Sequence, residues 1–131
     1  MTEPFGTISY QGPGVFLAGG AGITPFLAIL RERVLAGDID RHSLIFSNKT
    51  PADVICEKEL RHYLGERCIL TCTDAEAQGY EHRRIDETFL GEKIDDFTQH
   101  FYVCGPPAFM EAVNAALKRL GAASQSLVFE Q

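Results

Sequence analysis

The sequence predicts an α/β protein with a parallel sheet, and three observations carry that expectation. Short apolar runs read as buried strands, stretches of helical periodicity separate them, and glycine or proline punctuates the joins. Five strand-like segments in this order, joined by right-handed crossovers, predict a small five-stranded doubly wound sheet of strand order 3-2-1-4-5. In such a sheet a ligand is expected outside the carboxyl ends of the strands, at the switch point between strands 1 and 4.

The elements follow in order. The first strand is residues 15–18 (Val-Phe-Leu-Ala), apolar on both faces as a central parallel strand is. Pro25 then falls in the first turn of a helix, where its missing N–H costs nothing. Phe26, Leu27, Ile29, Leu30, Val34 and Leu35 give that helix a wide apolar stripe, and Gly37 stops it. The second strand is 43–47, followed by a polar loop over 48–53 and a helix from about 54 to 64 that ends at Gly65. The third strand is 68–73, and 74–83 reads as an exposed, glycine-containing loop. Segments 85–90 and 93–97 read as short helical turns. The fourth strand is 100–104. A last helix over 108–120 places Phe109, Val113, Ala116, Leu117 and Leu120 on one side, and 126–129 makes the fifth strand.

Composition narrows the class of function. The 131 residues are 45% apolar and 23% charged, as in a folded globular domain, and the net charge of −6 argues against a nucleic-acid binder. No apolar run approaches the roughly twenty residues that span a membrane. The start, Met1-Thr2-Glu3-Pro4, lacks the basic and apolar segments of a secretory signal, so a cytoplasmic location is expected. Cys56, Cys68, Cys72 and Cys104 form no CxxC pair; Cys68 and Cys72 share one strand face and read as small core residues. His42, His62, His82 and His100 lack metal spacing and read as surface or strand-end residues.

Two motifs carry chemistry. Gly19-Gly20-Ala21-Gly22-Ile23-Thr24-Pro25 follows the first strand and opens a helix. Gly20 and Gly22 would admit a phosphate close to the main chain, facing the positive end of that helix, with the Thr24 hydroxyl as a further donor. A tight turn that merely joins strand to helix is the plainer reading. Val103-Cys104-Gly105-Pro106-Pro107 follows the fourth strand, where rigid prolines fix a turn. The Cys104 thiol there is open to three readings: a nucleophile, a wall of a hydride site, or a small buried residue. No histidine lies next to it in sequence to act as a base.

With Gly14–Pro25 and Phe101–Pro107 together, the chain resembles the pyridine-nucleotide-binding domain of the ferredoxin–NADP reductase superfamily. The resemblance extends over essentially the whole chain, through Gly79-Tyr80, Arg84-Ile85-Asp86 and the terminal Leu127-Val128-Phe129-Glu130. It implies hydride transfer between NAD(P)H and FAD or FMN, with electrons passed on to a flavodoxin, ferredoxin, cytochrome or oxygenase component. It further implies that Gly20, Ala21, Gly22, Thr24 and Pro25 line the pyrophosphate and nicotinamide-ribose region, and that Cys104 sits beside the nicotinamide C4. Gly105, Pro106 and Met110 would border the ribose and pyrophosphate, and Phe129 would cover the flavin ring.

Ser47-Asn48-Lys49-Thr50 and Asp53 follow the second strand, where the adenosine ribose is expected. Asp53, in a Thr-x-x-Asp-Val setting, is similar to the NADH-preferring cytochrome b5 reductases, and a carboxylate there would repel a 2′-phosphate. Lys49 pulls the other way; the balance favours NAD(H) over NADP(H). The plainer reading of Asp53 is a cap on the helix that follows. The flavin barrel of the family, with its R-x-Y-[ST] motif, is missing. Arg61-His62-Tyr63-Leu64 is only a partial match and reads as a solvated helical face. Residues 1–12 read as the remnant of that barrel's last strand and a linker, and 13–131 as the nucleotide domain. The flavin would then be held mainly by a separate domain, of the same polypeptide or another chain. The rival is a non-catalytic NAD(H)-sensing or assembly module.

Overall fold

In the computed structural model, residues 10–122 and the backbone of 127–129 are described. Strands β1 (Gly14–Gly19), β2 (Ser43–Asn48), β3 (Cys68–Cys72), β4 (His100–Cys104) and β5 (Leu127–Phe129) form one sheet in the order β3-β2-β1-β4-β5. All four pairings are parallel. Helices α1 (Ile23–Ala36), α2 (Glu57–Leu64), α3 (Glu87–Lys93) and α4 (Pro107–Arg119) connect them. The α/β expectation holds, with differences of detail in where elements start and stop.

The sheet is buried on both faces, which explains why its strands read as continuous apolar runs. Every residue of β1 is buried. Phe16 and Ala18 face a core shared with Phe26, Leu27 and Leu30 of α1 and with Leu60 and Leu64 of α2. Val15 and Leu17 face the opposite core, with Phe89 and Leu90 of α3 and Val113, Ala116 and Leu117 of α4. Each of these fully buried large side chains contributes about 1.5–3 kcal/mol. Cys68 lies in the first core, and its burial pushes the thiol pKa up to about 11. Cys72 is also buried, as the core reading of both requires.

Four expectations need correction. Leu35 is 88% exposed, because it lies on the outer face of α1 just before Gly37 closes the helix with a left-handed backbone. The second helix begins at Glu57, not near 54. Pro51–Asp53 closes a separate 3-10 turn, Val54 is extended, and Cys56 is left-handed at φ 56°. The loop over 74–83 is not simply exposed. Glu81 pairs with the edge of β3, its N–H donating to Leu70 O and its carbonyl accepting from Cys72 N, each at 2.8 Å. Nor is 61–64 a solvated face: Leu64 is buried, while Arg61 donates to Glu57 (2.8 Å) and to Gly79 O (3.0 Å) and lies over the Tyr80 ring.

At the amino ends of the strands His42 is fully buried immediately before β2, a strand-end residue and not a surface one. Its Nδ1 bonds Asp38 O at 3.0 Å, so the neutral ring presents Nε2 to the Tyr10 hydroxyl at 2.7 Å. Tyr10 stacks on Tyr102 and lies beneath the Arg33 guanidinium, 4.4 Å from its ring centre. The Tyr102 hydroxyl accepts from Gln11 N and donates to Gly12 O. The chain arriving at β1 is therefore pinned to the sheet. Residues 1–9 of the expected barrel remnant lie outside the described residues.

Candidate functional site

Parallel register brings the carboxyl ends of four strands level. Gly19 pairs with Ser47, Ala18 with Cys104 and Asn48 with Cys72. Each strand then turns away toward its helix, leaving a cleft of about 440 Å³ above the sheet edge. The Gly20–Gly22 3-10 turn forms one wall and leads directly into α1. Pro106 and Phe109, at the start of α4, form another. The polar loop after β2 closes the third side with Lys49, Asp53 and Ile55.

Seven of the expected site residues line this one cleft: Gly20, Ala21, Ser47, Asn48, Lys49, Asp53 and Pro106. Gly20 has φ +55°, a conformation that favours glycine, and a Cβ there would meet no atom within 4 Å. The turn's main chain is thus open to a ligand. Asn48 is only 6% exposed, yet its Nδ2 has no hydrogen-bond partner among the described residues. A buried donor left unmade costs about 1–3 kcal/mol, and a ligand acceptor in the cleft would remove that cost. A glycine turn at a helix start, an orphan amide donor and a lysine at the rim suit a polyanionic ligand with sugar oxygens. A dinucleotide fits this donor set.

Other expected residues are placed differently. Gly22 is buried beneath the cleft; a Cβ on it would lie 2.2 Å from Cys104 O and 2.8 Å from Gly105 N. The absence of a side chain there lets the start of α1 pack closely against the end of β4. Thr24, Pro25, Gly105 and Met110 are absent from the cleft lining, as is Cys104, which is 4% exposed. Phe129 is known by its backbone alone, opposite Val103 in the β4–β5 register. Asp53 does cap, but it caps the 3-10 turn: its carboxylate accepts from Thr50 N (3.1 Å) and Thr50 Oγ1 (3.0 Å).

Three lining residues escaped the sequence reading, Ile55, Thr73 and Phe109, while Gly19 lies in the first motif. Helical periodicity counted Phe109 as core, and it is only partly buried. Ile55 gave a usable signal, as a large apolar residue, 43% exposed, beside the charged loop. Thr73 lies just past the end of β3, where strand and loop readings merge.

Residues 16–115 match the family described as the oxidoreductase NAD-binding domain. The chain belongs to this family. The carnitine monooxygenase reductase subunit of Escherichia coli (strain K12) is 34% identical over 89% of this chain and 34% of its own length. A flavohemoprotein of Oceanobacillus iheyensis is 29% identical over 90% of this chain and 30% of its own length. The chain thus spans about a third of these curated relatives. Among solved structures, the FAD/NAD-binding domain of nitric oxide dioxygenase from Vibrio cholerae superposes with a TM-score of 0.84 at 20% identity. It covers 98% of this chain and 54% of that one, and so shares the fold. Among the described residues no helix is long and apolar enough to cross a membrane.

Proposed function

We propose that this chain is the NAD(P)H-binding part of a flavin-dependent oxidoreductase. A nicotinamide nucleotide would deliver hydride to FAD or FMN held mainly by another domain, and electrons would pass on to a flavodoxin, a ferredoxin or an oxygenase component. The observation that carries this reading is the convergence of both glycine turns and the loop after β2 on one cleft at the carboxyl ends of the strands. The names of the relatives, a monooxygenase reductase subunit and a flavohemoprotein among them, favour a reductase over a sensing or assembly module.

The hydride chemistry belongs to the cofactors, and this chain contributes position and electrostatics. Gly20 and Ala21, at the start of α1, would receive the pyrophosphate through main-chain N–H groups and the helix dipole. Asn48 Nδ2 would donate to an oxygen at the adenosine end, with Ser47 and Lys49 beside it. Pro106 would hold the turn after β4 rigid. Gly105, Met110 and Cys104, with Thr24 and Pro25 across the turn, would support the nicotinamide side from behind the lining, and Phe129 would cover the flavin.

NAD(H) is favoured over NADP(H) because Asp53 lines the cleft on the loop after β2, where the adenosine ribose is expected. Titration of the purified chain should give saturable binding of NADH, tighter than of NADPH. Asp53→Asn should improve NADPH relative to NADH by roughly tenfold, the weight of one like charge partly screened by water. No saturable binding of either nucleotide would sink the site assignment. Unchanged relative affinity in Asp53→Asn would leave the site and remove Asp53 from selectivity.

A further inference from the structure

Phe109 occupies an unusual position between the two glycine turns. A Cβ on Gly19 would lie 3.0 Å from Phe109 Cγ, and one on Gly105 would lie 2.7 Å from Phe109 Cδ2. The ring therefore lies across both glycines, on the wall of the dinucleotide cleft. On its other side is a second cleft of about 190 Å³, bordered by Arg84, Ile85, Ala108, Ala112 and Val113. Ser47, Thr73 and Phe109 border both clefts, so the ring is the partition between them.

We propose that Phe109 is a swinging gate of the nucleotide site: its ring covers Gly19 and Gly105 without ligand and turns into the smaller cleft when nucleotide binds. This rests on the nucleotide-binding reading above. The covered surface is main chain at the ends of β1 and β4, which the nicotinamide half of a dinucleotide must approach. The smaller cleft is mostly apolar where the ring would arrive, with Ala112 and Val113 as its small floor. A cavity of roughly 150 Å³ already takes a benzene molecule, so a phenyl ring fits. Phe109 is partly exposed, and α4 carries it on the first turn of the helix, where no preceding turn blocks rotation about χ1.

A double-mutant cycle tests the gate, with NADH affinity of the full chain as the readout. Ala112 is exposed on α4, so Ala112→Leu keeps the fold while filling the receiving cleft; Ala112→Met is the second filling variant. Filling should weaken NADH by about tenfold, a coupling in the usual range for neighbouring side chains. In the Phe109→Ala background, where no ring needs space, the same filling should have no effect. An equal loss in both backgrounds, or no loss in either, overturns the gate. If wild-type chain binds no NADH, the nucleotide reading fails first, and that outcome is separate.

Discussion

At the scale of single residues, His42 shows how a buried neutral ring links stability to pH. Burial outweighs the nearby Asp38 carbonyl and pushes its pKa below 6.5. The unfolded chain then binds a proton at His42 that the folded chain refuses, so His42 favours unfolding as pH falls below about 6.5. Above that value its full contribution is present. The melting temperature should therefore fall as pH drops below about 6.5, and His42→Gln should flatten that part of the profile. A profile with the same slope in both proteins would exclude His42 as the source. The sequence showed four scattered histidines with nothing to single out His42. What sets His42 apart is Tyr10, 32 positions away, and no local pattern announces such a partner.

At the scale of elements, the two inner glycines of the first motif divide their labour. Gly22→Ala would force a Cβ into the carbonyl of Cys104, so the start of α1 must lift from β4. Overpacking of this kind costs about 1–3 kcal/mol, and backbone gives way less readily than a side chain. Gly20→Ala meets no atom and costs only the left-handed backbone strain, on the order of 1 kcal/mol. Thermal unfolding should accordingly rank Gly22→Ala below Gly20→Ala, and the reverse order would refute the packing role. The motif itself was legible: its glycines, its strand and its helix all lie where the pattern put them. Which glycine packs and which lines the cleft was not, because both positions call for the same missing side chain. The late start of α2 was hidden for a related reason. Val54 and Ile55 fit a helical stripe, but the Thr50–Asp53 cap closes its own turn and Cys56 reverses the chain after it.

At the scale of the whole molecule, periodicity reached furthest. Strands buried on both faces announce a parallel sheet, and a parallel sheet with right-handed connections leaves few places for a ligand. The cleft wall was harder to read, because Phe109 packs against the core and lines the cleft at once. The pinned segment at the far end of the sheet has its own consequence. Tyr10 is locked between Arg33, His42 and Tyr102, so the chain enters β1 from a fixed point. A rigid anchor at the entry to the central strand raises the cost of opening that edge locally, so β1 stays paired where a loosely held strand would fray. Tyr10→Ala would loosen that entry at Gln11 and Gly12. Hydrogen exchange at the Gln11 amide, held by Tyr102, should speed up at least tenfold if the anchor is worth the roughly 1.4 kcal/mol of an ordinary buried hydrogen bond. Unchanged protection there would mean that Tyr102 alone holds the entry.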